Sequence, residues 1–375
     1  MKICAVTHLY YPDGGGDVFG QHELARGLMG LGLEMNIITW AFQNSRHLAE
    51  RIDGVNVTRL RGLNLRLLPS ITEYPYLIGL RETLGRLNPD IIDCQSHLFL
   101  PTLQAIRAAK SRRIPTVVTV RGLLAKRGLV TELSQWAYLR TVCRKYMNRA
   151  SCVICLTDSD RSLVQSLRMA ERVEVVPNGV DLMKFRPDPR KDPHCLAWAG
   201  RMVPEKGLES LLIALSDVVK EIPDVTLQLV GDGPLMPTLQ TLAARLGVSS
   251  NCVFLGRRTR EEVASILSKS SVFVLPSLSE GLPKAMLEAM GCGNAIVASD
   301  LPQIRDIIGG QGVGFLNDPR DTHGLAESLL ACLRDEDFTR RLESGSRRLA
   351  EDRYDLRTIL LRRKQLYQRL VEQPR

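Results

Sequence analysis

The stretch Cys195-Leu196-Ala197-Trp198-Ala199-Gly200-Arg201-Met202-Val203-Pro204-Glu205-Lys206-Gly207 reads as a short apolar strand running into a glycine-bounded turn that carries two cations. A five-residue apolar run has strand length, and glycine and proline just beyond it mark a turn. Similar runs recur near 226–230, 252–255, 272–275, 295–298 and 313–316, with longer helical patterns between them. Upstream, runs at 3–7, 34–39, 55–60, 90–94, 116–120, 152–156 and 173–176 alternate with helical patterns in the same way. Strands separated by helices imply parallel sheets joined by right-handed crossovers. The fold class is therefore α/β, with two doubly wound domains.

Between the two sets lies Phe185-Arg186-Pro187-Asp188-Pro189-Arg190-Lys191-Asp192-Pro193, whose three prolines exclude regular helix and sheet. Its position predicts an interdomain linker, and the domains are expected at 1–183 and 195–353 around a linker at 184–194. Residues 354–375 carry Leu356, Ile359, Leu360, Leu366, Leu370 and Val371 at mainly helical spacing, which predicts a terminal amphipathic helix.

A chain of 375 residues, 44% hydrophobic and 24% charged, has globular composition and is too long for one compact core. No apolar run approaches the roughly 20 residues a membrane span needs, and Met1-Lys2-Ile3-Cys4 enters a strand rather than a signal peptide. A cytoplasmic protein is expected. Nine scattered cysteines argue against a disulfide framework. Cys152 and Cys155 have metal-like spacing, but three residues apart on a strand they face opposite ways, so buried thiols are expected.

The net charge of +9 is concentrated: residues 101–150 hold eleven Lys and Arg against the single acid Glu132. Such a block suits an anionic membrane surface or an anionic substrate, the bland alternative being a solvated helix face. Aromatics are few and no nucleic-acid motif is present, so a nucleic-acid partner is not expected.

The chemistry falls on the turns after strands. Gly14-Gly15-Gly16 precedes a helical pattern, and glycines at a helix N-terminus let backbone N–H groups approach phosphate, although a tight turn with no ligand explains them nearly as well. In 200–207, Arg201 offers a planar fork to a diphosphate and Lys206 a compact charge; salt-bridging of an exposed loop to Glu205 is the alternative. Glu280-Gly281-Leu282-Pro283-Lys284-Ala285-Met286-Leu287-Glu288 follows another strand, with Pro283 suited to a first helical turn. N–H groups around Gly281 and Leu282 face an anion, while two acids about 12 Å apart, at about 1.5 Å per residue, span hexose to ribose. A solvated Glu280 and a structurally paired Glu288 form the alternative.

With these motifs the chain resembles the retaining GT-B glycosyltransferases of family 4, whose signature is two glutamates separated by seven residues. The matching features are 14–16, Pro177-Asn178-Gly179-Val180-Asp181, 200–207, Gly231-Asp232-Gly233-Pro234, and 280–288 followed by Ala289-Met290-Gly291-Cys292-Gly293. The resemblance implies two Rossmann-like domains facing across a cleft that holds a nucleoside diphosphate sugar, with the terminal helix crossing back to the first domain. It implies Arg201 and Lys206 on the diphosphate, Glu288 on the ribose, Glu280 near the transferred sugar, and the base near Gly256 and Arg257. Gly15, Gly16, Gly231, Gly281 and Leu282 complete the implied donor site, with Glu280, Arg201 and Lys206 carrying catalysis.

No cofactor or metal is expected, because Arg, Lys and helix N-termini replace the cation in this family; Asp158-Ser159-Asp160 is expected to cap a helix. The implied reaction is hexosyl transfer to a hydroxyl acceptor with retention, and the basic block of the first domain adds the expectation of a glycan or lipid-linked acceptor at the inner face of a membrane. One departure concerns the other wall: where family members often carry histidine after the 116–120 strand, this chain has Arg121, which is no proton acceptor at neutral pH. Arg121 and His97 are the acceptor-side candidates. A nucleotide-sugar epimerase and a non-catalytic subunit of the same fold are the competing readings.

Overall fold

The computed structural model describes residues 1–13, 16–42, 48–65, 74–122 and 129–373, with only the backbone at 16–17 and 129–132. The chain divides into two compact units, Met1–Asn178 with Arg357–Arg375, and Gly179–Leu356.

The first unit is built on an eight-stranded sheet in the order Val173–Val175, Cys152–Cys155, Thr116–Thr119, Ile91–Cys94, Lys2–Val6, Glu34–Trp40, Val55–Leu60, Leu48–Ile52. Every pairing is parallel except the last, where Leu48–Ile52 runs antiparallel to Val55–Leu60. That edge strand was not expected from the sequence. Its turn is Asp53-Gly54, both at positive φ (46° and 86°), the aspartate–glycine pair that favours a tight hairpin. A second small hairpin pairs Gly62–Asn64 with Pro75–Leu77.

The second unit carries a six-stranded parallel sheet in the order Cys252–Gly256, Thr226–Val230, Asp192–Ala199, Ser270–Leu275, Ala295–Ser299, Gly314–Asn317. Numbered along the chain this is 3-2-1-4-5-6, the doubly wound order that places ligands where it reverses, between strands one and four. Ser270–Leu275 and Ala295–Ser299 are buried at every position, as strands covered by helices on both faces must be.

The boundary differs from the expected linker. The chain passes between units at 178/179 and 356/357, and the proline-rich segment packs onto the second unit. Phe185 is fully buried, with the Arg260 guanidinium 4.7 Å from its ring centroid. The first strand of the second sheet already begins at Asp192. Residues 186–191, with Pro187 and Pro189, lie outside helix and sheet, whereas Pro193 sits in the strand, so the expectation that all three prolines exclude sheet is corrected.

The terminal helix, Leu356–Glu372, buries Ile359, Leu360, Leu366 and Leu370 within the first unit, along with Arg363. Arg363 Nη2 donates to Thr119 Oγ1 at 2.5 Å and faces Asp93 Oδ2 at 3.4 Å, and Tyr367 Oη donates to the same Asp93 oxygen at 2.5 Å. A buried charge is stable only when paired and hydrogen-bonded, and here helix and sheet each supply half of the network.

All nine cysteines are free and buried. Burial pushes the Cys152 thiol up to about 12, which suits an inert structural group. In the helix Asp158–Ser166 the cap is Thr157, whose hydroxyl accepts from the Asp160 amide; Asp158 and Asp160 occupy the first turn, where carboxylates favour the helix dipole. The expected aspartate cap is thus corrected to a threonine cap.

Candidate donor-binding edge and acceptor-side residues

In the second unit, four loops meet at the C-terminal ends of the strands. The Gly200 amide donates to the Val230 carbonyl (2.9 Å) and the Met202 amide to the Asp232 carbonyl (2.7 Å), tying the loop after strand one to the loop after strand two. The Gly231 amide donates to the Gly256 carbonyl at 2.8 Å, adding the loop after strand three. Gly231 holds φ of 125°, and a Cβ there would overlap the Gly200 carbonyl oxygen, so this close approach needs glycine.

The loop after strand four is joined by backbone and side chain. The Leu278 amide donates to the Glu205 carbonyl (2.8 Å). Lys206 Nζ donates to Glu280 Oε1 at 2.5 Å, and Ser277 Oγ donates to the same oxygen at 2.7 Å. Glu280 is therefore held rather than solvated, with 8% of its side chain exposed against 25% for Lys206. Arg201 is exposed, and no ion pair to it occurs among the described residues. Lys206 and Glu280 stand on the two loops that flank the reversal of strand order.

Pro283 sits at the N-cap, and the helix Lys284–Gly291 begins one residue later, so the rise of about 1.5 Å per residue applies only to the second half of the glutamate spacing. Glu288 is 2% exposed, and its Oε1 accepts from Arg260 Nη2 at 2.5 Å. Sequence reasoning had not selected Arg260. Its sign lay in the run Arg257-Arg258-Thr259-Arg260, but the partner lies 28 residues away. Arg257 is largely exposed and its Nε lies 2.8 Å from Asp232 Oδ2, which places an acid of the 231–234 motif beside the base-side candidates Gly256 and Arg257. Gly281 and Leu282 occupy the approach to the helix, with Leu282 buried.

An edge of this kind presents a held cation, Lys206, an exposed one, Arg201, and helix N–H groups to an anion, and ordered carboxylates to hydroxyl groups. Among the described residues no group of three His, Cys, Asp or Glu converges.

In the first unit, Arg121 Nη2 donates to Gln95 Oε1 (2.7 Å) and its Nε to the Gln95 carbonyl (3.2 Å). Gln95 Nε2 in turn donates to Asp93 Oδ2 at 2.5 Å. His97 is 1% exposed, and its carbonyl accepts from the Tyr146 hydroxyl of the same unit. His8, just beyond the first strand, stacks on Phe99 with ring centroids 3.5 Å apart and was not selected from the sequence. Gly15 lies outside the described residues, and Gly16 opens the helix Gly16–Gly30.

Two family models match the chain, Glycosyltransferase Family 4 over residues 15–184 and Glycosyl transferases group 1 over residues 180–349. A human subunit of phosphatidylinositol N-acetylglucosaminyltransferase is 25% identical over 313 residues, 82% of this chain and 63% of that protein. A GDP-mannose-dependent alpha-(1-6)-phosphatidylinositol monomannoside mannosyltransferase from Mycolicibacterium smegmatis is 32% identical over 185 residues, 44% of this chain and 48% of that protein. The chain thus spans about half to two thirds of the length of these relatives. An Escherichia coli UDP-Gal:alpha-D-GlcNAc-diphosphoundecaprenol alpha-1,3-galactosyltransferase is 29% identical, covering 71% of this chain and 72% of its own. Among solved structures, sucrose-phosphate synthase from Thermosynechococcus elongatus superposes with a TM-score of 0.81 at 20% identity, covering 99% of both chains. Anabaena HepE in complex with UDP gives 0.79 at 20% identity, covering 99% of this chain and 100% of its own. At that identity they show the fold, two Rossmann-like domains of GT-B type.

Proposed function

From the premise that the chain belongs to the group 1 glycosyltransferases, whose two family models together match residues 15–349, we propose that it transfers a sugar from a nucleoside diphosphate sugar to a hydroxyl acceptor. The observation that carries this reading is the Lys206–Glu280 pair, a cation and an ordered carboxylate on the two loops at the reversal of strand order. Arg201 and Lys206 neutralise the diphosphate as it leaves, Glu288 accepts from ribose hydroxyls through the oxygen that Arg260 does not hold, and Glu280 positions the sugar. Transfer proceeds with retention: the glycosidic bond to the diphosphate breaks as the acceptor oxygen bonds to the anomeric carbon on the same face. The leaving diphosphate takes the acceptor proton, so no pair of enzyme carboxylates is required. No metal takes part, and turnover is expected to persist in a chelator.

The acceptor is lipid-linked or a glycan, in keeping with relatives whose names specify a phosphatidylinositol monomannoside and a diphosphoundecaprenol sugar. No helix among the described residues is long and apolar enough to cross a membrane. The protein works as a peripheral enzyme at the inner face, with the basic 101–150 block toward anionic lipid.

The test is a product screen by mass spectrometry across nucleotide sugars and lipid-linked acceptors. A sugar-extended acceptor with released nucleoside diphosphate is the expected result; epimerised donor, or binding without turnover, would overturn it. The anomeric configuration of the product, read by NMR, decides retention.

A further inference from the structure

The small hairpin of the first unit carries more exposed apolar surface than a solvated turn needs. Leu63 pairs directly with Tyr76, and because side chains alternate along a strand, Leu63 and Leu65 share the outer face with Tyr76 and Ile78. Leu63, Tyr76 and Ile78 are 59%, 46% and 53% exposed. Single exposed hydrophobics are ordinary, whereas a contiguous apolar face marks an interaction site.

The hairpin is rigidly seated from behind. Leu77 is 1% exposed, and both its amide and its carbonyl are bonded by the Gln104 side chain at 2.9 Å. At Gly62 an added Cβ would press on the Trp40 ring at 2.9 Å. Tyr74, opposite Leu65 on the same face as Tyr76, is 1% exposed and closes that end of the apolar face, its hydroxyl 2.5 Å from that of Tyr138, which donates to the Leu98 carbonyl beside His97. The apolar face is therefore anchored to the loop that also carries Gln95 and, through it, Arg121.

Beside this face opens a cavity of about 410 Å³ whose lining includes Tyr76, Ile78, Arg81, Arg107, Glu82 and Ser111. Arg112 reinforces the cationic side, its Nη1 donating to the Arg81 carbonyl at 3.3 Å. Apolar side chains next to exposed guanidinium groups match the boundary of an anionic bilayer, where acyl chains meet phosphate. A tyrosine suits that boundary, with its ring in the apolar layer and its hydroxyl toward water. A second copy of this chain fits less well, since a symmetric contact would bring Arg81, Arg107 and Arg112 against their own equivalents.

We propose that the outer face of the Gly62–Asn64/Pro75–Leu77 hairpin inserts shallowly into an anionic membrane, with Arg81 and Arg107 holding lipid phosphate in the adjoining cavity. This rests on the lipid-linked acceptor proposed above and moves the membrane contact from charge alone to a defined apolar element.

The experiment is flotation of the full chain with vesicles of phosphatidylcholine alone or with one quarter phosphatidylglycerol, alongside donor turnover on a water-soluble acceptor analogue. Wild type is expected to float with the anionic vesicles and persist at physiological salt. Leu63→Ser/Tyr76→Ser/Ile78→Ser, all at exposed positions, is expected to lower the bound fraction about ten-fold while leaving soluble turnover unchanged. Arg81→Gln/Arg107→Gln is expected to abolish the preference for anionic vesicles. Flotation of the apolar triple variant at the wild-type level overturns the proposal, as does a wild-type dimer in sedimentation that this variant dissociates. Wild-type turnover without flotation sinks the membrane contact and spares the enzymatic reading; flotation without turnover does the reverse.

Discussion

Lys206 Nζ lies 2.5 Å from Glu280 Oε1, closing a side-chain bridge between the turn after the first strand of the second sheet and the segment after its fourth. The bridge orients a carboxylate that would otherwise sample many rotamers, and it leaves the ammonium with two further protons for a diphosphate.

Lys206→Ala is therefore expected to lower kcat by about 10²–10³-fold, the usual cost of losing one preorganised charge-stabilising donor. The loss should fall on kcat more than on nucleotide affinity, because in the proposed site Arg201 remains to hold the diphosphate. Wild-type turnover in this variant would remove Lys206 from the donor site. Lys206→Arg, with charge but different geometry, should recover only part of the rate.

Gly207→Ala tests the hinge of the same loop. Gly207 has φ of 63°, and a Cβ would overlap the Pro276 carbonyl oxygen, so strain and backbone displacement act together. A stability loss of at least about 1–3 kcal/mol is expected by chemical denaturation, with weaker nucleotide binding because Lys206 is the adjacent residue. An unchanged midpoint would show that the loop yields freely.

Legibility followed the range of the interaction. The 200–207 turn could be read because strand, glycines and cations are contiguous, and Asp53-Gly54 announced the missed edge strand just as locally. Arg260 with Glu288, and Arg363 with Asp93, could not be read, because the sequence does not show which distant charge a buried arginine meets. Periodicity picked out only the apolar positions of the terminal helix, yet Arg363 is 3% exposed and holds that stripe to the sheet. Three prolines suggested a free linker, and the buried Phe185 beside them was the neglected sign.

Arg363→Met is expected to cost about 3–5 kcal/mol, since it leaves the Asp93 carboxylate buried with its cation removed. Asp93→Asn should cost a comparable amount, because the amide oxygen still accepts from Tyr367 but the buried Arg363 guanidinium loses its anion. The double variant should fall well short of the sum of the two, the mark of a shared network. Additivity in urea denaturation would show that the two side chains act independently. Because Asp93 also accepts from Gln95, which holds Arg121, Arg363→Met should additionally lower turnover with acceptor more than donor binding.

The partly buried pair Lys191–Glu343 predicts a pH dependence remote from the donor loops. Lys191 Nζ lies 3.2 Å from Glu343 Oε1 and also donates to the Gly293 carbonyl at 2.5 Å. Burial outweighs the attraction on both partners, holding the Lys191 ammonium below its usual range and the Glu343 carboxyl above its own. For Glu343 the folded chain therefore binds more protons than the unfolded chain between pH 4.5 and the raised value, and stability falls as pH rises through that window. For Lys191 the unfolded chain binds more protons between the lowered value and 10.5, and stability rises with pH there. Glu343→Gln removes the first contribution, so its stability relative to wild type should climb from pH 4.5 upward and then level off. Guanidinium denaturation at a series of pH values measures this difference, and a decline across the same window would show that the ion pair, not burial, dominates. Lys191→Met alone should destabilise by stranding the carboxylate, most strongly above the window and least where Glu343 is already protonated. Lys191→Met/Glu343→Leu should restore much of that loss, because an apolar pair does not require either charge to leave water.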